Sequence, residues 1–137
     1  MPLPVSQQDQ KIATIRDLAE KYKTSIINAL PKLFDVDNFL RIFYTTITKT
    51  PSLQDADPRS LLRALIQCAQ LGLLPDNLLG QVYLVPFWNG RLKRMDVEAI
   101  IGYRGFLKLA KNSGEIVDIK AHVVWDQEPF ELTYGTK

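Results

Sequence analysis

The sequence has little of the reactive side-chain chemistry on which many enzymes depend, since it contains one cysteine, Cys68, and one histidine, His122. A single cysteine cannot form a disulfide within the chain, which fits a reducing environment. Cys68 and His122 alone are also too few for a zinc site, which usually takes four ligands. No GxxxxGK[ST] phosphate loop occurs, so nucleotide hydrolysis has no recognisable site. We therefore expect a protein that is not an enzyme and that carries no metal or cofactor.

Long apolar runs are absent as well, because no stretch approaches the roughly 20 residues that a membrane span requires. The first ten residues, MPLPVSQQDQ, have neither the charged start nor the apolar stretch of a secretory signal. These two absences predict a cytoplasmic protein without a membrane partner. Of the 137 residues, 46% are hydrophobic and 23% charged, which are ordinary values for a globular protein. We expect residues 1–137 to form a single domain.

The first half of the chain has the start and stop signals of helices. Ser6, Asp35 and Asp57 are each suitable N-caps before an apolar periodic run. Asp57 is followed by proline, which is favoured at the first helical position, and Gly72 ends the helix that begins there. We expect the helical segment of residues 1–34 either to lie on its own domain or to dock on a neighbouring subunit.

The remaining residues, 35–137, are expected to form helices and a sheet core centred on the stretch from Gln81 to Gly114. The dipeptide Asn89-Gly90 is typical of a two-residue hairpin turn of type I′, in which both central residues need positive φ. Apolar and polar residues alternate from Met95 to Ile101, as they do in a half-buried strand. A helix is expected to follow from Gly102.

Two further strands are expected after this helix. Apolar residues alternate with polar ones from Val117 to Trp125, and a turn at residues 126–128 leads to a last short strand from Phe130 to Tyr134. The order of elements predicts an α+β protein with an antiparallel sheet and a β-β-α-β-β core.

The helix after Gly102 has two faces of different chemistry. Its apolar residues recur with the helical period and predict a buried face that consists of Tyr103, Phe106, Leu107 and Ala110. Its cations recur with the same period and predict an opposite, exposed face that consists of Arg104, Lys108 and Lys111. The cations either form the solvated side of the helix or bind an anion.

The charge on this part of the chain is locally concentrated. Six cations lie between Arg91 and Lys111 against two carboxylates, whereas the whole chain has a net charge of only +2. A concentrated patch on a nearly neutral protein is better evidence for a polyanion site than a diffusely high pI.

Three sequence blocks occur in a familiar order and spacing. They are CAQLGLLP at Cys68–Pro75, GQVYLVPF at Gly80–Phe87 and IIGYRGF at Ile100–Phe106, and the third is followed by Leu109-Ala110 and Ser113-Gly114. Together they resemble the RecT family of phage and prophage single-strand DNA annealing proteins. The resemblance runs from roughly Ser25 to Gly135.

The resemblance implies an ATP-independent recombinase that coats single-stranded DNA, pairs it with a complementary strand and assembles as a homo-oligomer, a ring or a helical filament. It also implies a cognate exonuclease as partner and a location in the cytoplasm of a bacterium or a phage-infected host. Family members continue well beyond residue 137, so residues 1–137 are expected to be the N-terminal portion of a longer fold.

An annealing protein must neutralise backbone charge while it leaves the Watson–Crick edges free, so we expect contacts to phosphate and sugar. Trp88 beside the predicted turn either stacks on a base or makes a cross-strand hairpin contact. The expected DNA-binding residues are the three helix cations Arg104, Lys108 and Lys111, the hairpin cations Arg91, Lys93 and Arg94, and Trp88 and Lys120.

A second function class fits the same charges. The basic patch would also suit a non-enzymatic interaction or assembly module that binds an acidic partner protein. Binding of purified protein to oligonucleotides at two salt concentrations separates the two classes.

Overall fold

The computed structural model describes residues 6–32 and 34–134, in which helices precede a two-stranded antiparallel sheet and a last helix. The elements are α1 (Gln7–Lys21), α2 (Lys23–Ala29), α3 (Val36–Lys49), α4 (Pro51–Gln54), α5 (Pro58–Leu71), β1 (Val82–Asn89), β2 (Arg94–Ile101) and α6 (Tyr103–Asn112). The predicted α+β class, with helices first and then a hairpin and a helix, is confirmed.

The predicted helix starts are confirmed by their caps. The Ser6 hydroxyl accepts from the backbone N–H of Asp9, whose carboxylate accepts in return from the backbone N–H of Ser6. Asp35 and Asp57 cap α3 and α5 through carboxylates that accept from backbone N–H groups of the first helical turn. Gly72 ends α5 with φ of 65°, a left-handed conformation that favours glycine.

The core lies between the helices and one face of the hairpin. Its largest fully buried side chains include Phe39, Phe43, Leu61, Leu65 and Val82. Cys68 is buried among them, and burial raises the pKa of its thiol to about 12, so it behaves as a small apolar residue.

The first helix belongs to this core. Ile15 and Ala19 of α1 are buried, and the Lys11 ammonium forms an ion pair with Asp55. The helix α1 therefore packs against its own chain, and docking of residues 1–34 on a neighbouring subunit stays a prediction.

The hairpin turn differs from the predicted type I′ turn. Asn89 pairs with Arg94, so four residues connect the strands, and the positive φ of this loop belongs to Lys93, at 49°, and not to Gly90. The side chain of Asn89 explains the longer loop, because its Oδ1 accepts from the backbone N–H groups of Arg91 and Leu92, both at 3.2 Å.

The two strands predicted after α6 are not formed. Residues 115–134 have neither helix nor strand and are exposed throughout, although a turn does join Trp125 to Glu128. Alternation in a sequence reports an amphipathic segment, but a strand also needs a neighbour that takes its backbone hydrogen bonds. The first half of the outer edge of β2 is already occupied, because Met95 O accepts from the Asp57 N–H at 2.8 Å and Val97 N–H donates to Ser60 Oγ at 3.1 Å.

Candidate nucleic-acid interface

The last helix, α6, turns a different side to the protein from the one that its apolar period predicts. Tyr103 and Phe106 were expected in the core, but they are 67% and 59% exposed, whereas Gly105 is buried. A Cβ on Gly105 would lie 2.2 Å from the carbonyl oxygen of Gln81, and one on Gly102 would lie 2.3 Å from that of Gly80. The two glycines let the helix start lie directly on this backbone, and that contact sets the rotation of α6.

Lys108 consequently leaves the predicted exposed row of cations. Its Nζ donates to the carbonyl oxygen of Gly72 at 3.2 Å, lies 3.5 Å from Gln81 Oε1 and sits 5.4 Å from the centre of the Phe34 ring. Gly72 caps the C-terminus of α5, where a cation also complements the negative end of the helix dipole. The position of Lys108 is therefore that of a structural cation that joins α6 to α5.

Arg104 and Lys111 remain on the surface. The Arg104 Nε donates to the Tyr103 hydroxyl at 3.0 Å, and this hydrogen bond is the main cause that raises the pKa of the guanidinium. The guanidinium carbon lies 5.7 Å from the centre of the Tyr103 ring. Lys111 forms no ion pair within the described part of the chain.

Aromatic rings adjoin Arg104 at the start of α6. The Tyr83 ring lies so near that a Cβ on Gly102 would approach one of its carbons to 2.9 Å. Tyr83, Tyr103 and Arg104 therefore form one group, the α6-start cluster, with Phe106 exposed one turn further on. Sequence reasoning missed Tyr83 and assigned Tyr103 and Phe106 to the core. The glycines on either side of Tyr103-Arg104 were the available signal, since paired glycines mark close backbone approach.

The predicted cations of the hairpin tip are of two kinds, exposed ones and one that is held by carboxylates. Arg91 and Lys93 are exposed and form no ion pair among residues 6–32 and 34–134. Arg94 instead donates from Nε to Asp96 Oδ1 at 2.7 Å and lies 3.7 Å from Asp57 Oδ2. Asn89 donates to the other oxygen of Asp96 at 2.7 Å, and this bond, ahead of those from Arg94, holds the pKa of Asp96 below its usual value. Arg94 is therefore tied to the base of the loop.

The two remaining predicted residues differ in their surroundings. Trp88 pairs with Met95 in the ladder, which gives it the expected cross-strand neighbour, yet it is 61% exposed and its ring is accessible. Lys120 lies in the exposed segment after α6 and pairs with Asp118 at 3.3 Å. The tip cluster is thus Trp88, Arg91 and Lys93.

The tip cluster and the α6-start cluster lie at opposite ends of the hairpin. Seven residue steps separate the pair Asn89–Arg94 from the pair Val82–Ile101, which is roughly 23 Å at the usual rise of a strand. That span corresponds to roughly seven nucleotides of one strand in B-form DNA. Lys111 lies two helical turns beyond Arg104, roughly 10 Å further along α6.

Neither a metal site nor a membrane span occurs in the described residues. No three His, Cys, Asp or Glu side chains in residues 6–32 and 34–134 are grouped so that they could hold a metal ion. No helix within the same ranges is both long enough and apolar enough to cross a bilayer.

Comparison with known proteins matches these residues to one family. The RecT family matches residues 37–137, which include the hairpin, α6 and the segment that follows. The protein RecT of Escherichia coli strain K12 is 40% identical over 115 residues, which are 82% of this chain and 43% of that protein. The chain thus spans less than half the length of this curated relative, and no solved structure matches it. The family match and the level of identity together place the chain in the RecT family.

Proposed function

We propose that this chain binds single-stranded DNA through its sugar-phosphate backbone and takes part in ATP-independent annealing of complementary strands in phage-type recombination. The observation that carries the proposal is the set of exposed cations without ion pairs on one hairpin–helix unit: Arg91, Lys93, Arg104 and Lys111. Membership of the RecT family supports it.

The chemistry of the two clusters suits binding of a DNA strand without recognition of its base sequence. Guanidinium and ammonium groups neutralise phosphates in any sequence, which lets two DNA strands approach each other. The exposed rings of Trp88 and Tyr103 offer faces on which a base can stack, an interaction worth ~1–3 kcal/mol per base. Neither contact uses the Watson–Crick edges, so the bases remain free to pair.

The assembly and the partners follow from the same proposal. A homo-oligomer, as a ring or a helical filament, would place successive clusters along one strand, and the annealed duplex would be the product that it holds. A cognate exonuclease would expose the strand beforehand. These roles belong to the proposed annealing function in the cytoplasm of a bacterium or an infected host.

The first test removes the two free cations of α6. We expect Arg104→Ala with Lys111→Ala to weaken binding to single strands of any sequence. The plot of log affinity against log salt should become shallower by about 1.4, since each phosphate contact on a single strand contributes about 0.7. Fluorescence anisotropy with labelled oligonucleotides at several salt concentrations measures both quantities.

The matched control is Lys32→Ala with Lys49→Ala, which removes the same charge from two exposed positions that belong to neither the hairpin nor α6. Its salt dependence should stay close to that of the wild type. Equal slopes for the two double variants would reject the α6 contact. Binding to an acidic protein but not to oligonucleotides would favour the interaction module.

A further inference from the structure

A groove of about 530 Å³ runs between α1 and α5, on residues to which the proposed DNA contacts assign no role. Its apolar floor includes Leu18, Leu62 and Ile66, and its rim has three cations, Lys21, Arg59 and Arg63. No carboxylate lines it, and none of the three cations forms an ion pair within the described residues. Asp17 and Asp57 lie beside Lys21 and Arg59 in an adjoining pocket, outside the groove itself. The lining of the groove therefore combines apolar surface with three cations and no carboxylate.

The exposed segment after α6 contains the complementary chemistry. Its run from Trp125 to Leu132, WDQEPFEL, has three carboxylates and no cation. Trp125 and Phe130 are 70% and 66% exposed, although aromatic side chains of this size are normally the anchors of a buried contact. The run is acidic and apolar where the groove is basic and apolar.

This acidic run is already partly ordered. The backbone N–H of Glu128 donates to the carbonyl oxygen of Trp125 at 2.9 Å, and Glu128 Oε2 accepts from the backbone N–H of Trp125 at 3.2 Å. These two bonds close a turn from Trp125 to Glu128. A segment that is ordered before it binds loses less conformational entropy on binding.

The dimensions of the two surfaces agree. On α5 the groove extends from Arg59 to Gln70, eleven residue steps or roughly 17 Å at the rise of a helix. An extended chain covers that distance in roughly five residues, so the run 125–132 is long enough to fill it with its turn retained. Within its own chain the run is exposed.

We propose that the acidic run Trp125–Leu132 of one copy docks in the α1/α5 groove of a second copy of this chain. The three carboxylates Asp126, Glu128 and Glu131 face the cations Lys21, Arg59 and Arg63, and the aromatic side chains cover the apolar floor. The two surfaces are different parts of the chain, so the contact is heterologous, and a pair of copies keeps the groove of one copy and the run of the other free for further copies. Repetition gives a ring where the rotation closes and a helical filament where it does not.

The inference rests on the proposed function, in which the annealing protein works as a homo-oligomer, and it names the contact that would build this oligomer. The contact uses none of the four cations proposed to bind DNA. Self-association and DNA binding can therefore be measured on separate variants.

The experiment uses charge reversal on each surface. The groove variant is Lys21→Glu with Arg59→Glu, and the run variant is Asp126→Lys with Glu131→Lys, which leaves Glu128 to close the turn. We expect each variant alone to self-associate at least about tenfold more weakly than the wild type, because like charges then meet across the contact. An equimolar mixture of the two should recover association, since both charge pairs can then form between unlike chains. Sedimentation velocity without DNA gives the result, and circular dichroism checks that each variant is folded.

Two control variants test whether the effect is specific to the groove and the run. Lys32→Glu with Lys49→Glu changes the charge by the same amount as the groove variant, and Glu115→Lys with Asp118→Lys changes it by the same amount as the run variant, so both should associate like the wild type. A monomeric wild type, or association that neither variant weakens, overturns the inference. A third result would show that the run docks within its own chain, and the inference would then also be wrong. In that result each variant alone is less stable than the wild type, the chain that carries both sets of substitutions is as stable as the wild type, and the mixture does not associate. Wild-type monomers that still bind single strands would reject this contact and leave the proposed DNA binding intact.

Discussion

At the scale of single residues, the nearest acceptor decides whether a cation of the hairpin–helix unit is available to a ligand. The Lys108 ammonium is held by the Gly72 carbonyl oxygen, and the Arg94 guanidinium is held by Asp96. Among the described residues, Arg104 has only the Tyr103 hydroxyl as a hydrogen-bond partner, and it forms no ion pair with them. Cations that are held by the protein and cations that are proposed to bind DNA are therefore interspersed along the same short stretch of sequence.

This difference predicts opposite effects for two lysines of one helix. Lys108→Met keeps the apolar stem over Phe34 but removes the donor to Gly72, so we expect it to lower the free energy of unfolding by about 1 kcal/mol. Its effect on the salt dependence of DNA binding should be small. Lys111→Met should change stability by less than about 0.5 kcal/mol and make the salt plot shallower by about 0.7. Urea unfolding and oligonucleotide titration of both variants test this pair, and the reverse assignment of effects would contradict it.

The position of Lys108 shows what a sequence pattern leaves open. The pattern correctly identified it as a cation on an amphipathic helix. Its acceptor, Gly72, is 36 residues away in the chain, and no local period reports such a contact. The acceptor of Arg94 is two residues away on the same side of the strand, so alternation could have suggested that pair, although Arg94 was predicted to bind DNA.

At the scale of elements, glycines fix how α6 and the hairpin are placed. Gly105 is buried against the backbone of Gln81, which requires that no side chain intervene. Gly90 at the hairpin tip has nothing within 4 Å of an added Cβ, and its φ is not positive. One glycine is therefore required by packing, and the other is required neither by packing nor by its backbone conformation.

Alanine at these two positions gives a matched comparison. We expect Gly105→Ala to lower the free energy of unfolding by about 2 kcal/mol, because the helix must move away from residues 80–81. Gly90→Ala should be neutral or should stabilise the protein by up to about 1 kcal/mol, since alanine has fewer unfolded conformations. Thermal unfolding of both variants distinguishes these results. A large loss at Gly90 would instead support the type I′ turn that the dipeptide Asn89-Gly90 predicts.

At the scale of the whole molecule, the predicted features that were confirmed are those with a local cause. Ser6, Asp35, Asp57 and Gly72 mark helix ends because each bonds or bends within a few residues of itself. The strands predicted at Val117–Trp125 and Phe130–Tyr134 require a partner that is distant in sequence, and the alternating pattern cannot name one. The same reasoning applies to the candidate site, since the hairpin and helix cations were visible in the sequence, but the distant acceptor that holds Lys108 and the exposure of Tyr103 were not.

The separation of the two clusters leads to a prediction about the length of bound DNA. A strand of about four nucleotides is too short to reach from the tip cluster to the α6-start cluster, which are roughly 23 Å apart. Arg91→Ala with Lys93→Ala should therefore weaken its binding by no more than about twofold, because the α6-start cluster still accepts it. A strand of about twelve nucleotides spans both clusters, and for it the same variant should lose two phosphate contacts and make the salt plot shallower by about 1.4. Anisotropy titrations measure the affinity for the short strand and the salt dependence for the long strand, at protein concentrations too low for self-association. The double variant Lys32→Ala with Lys49→Ala is the control. Equal losses at the two lengths would mean that the clusters do not share one strand.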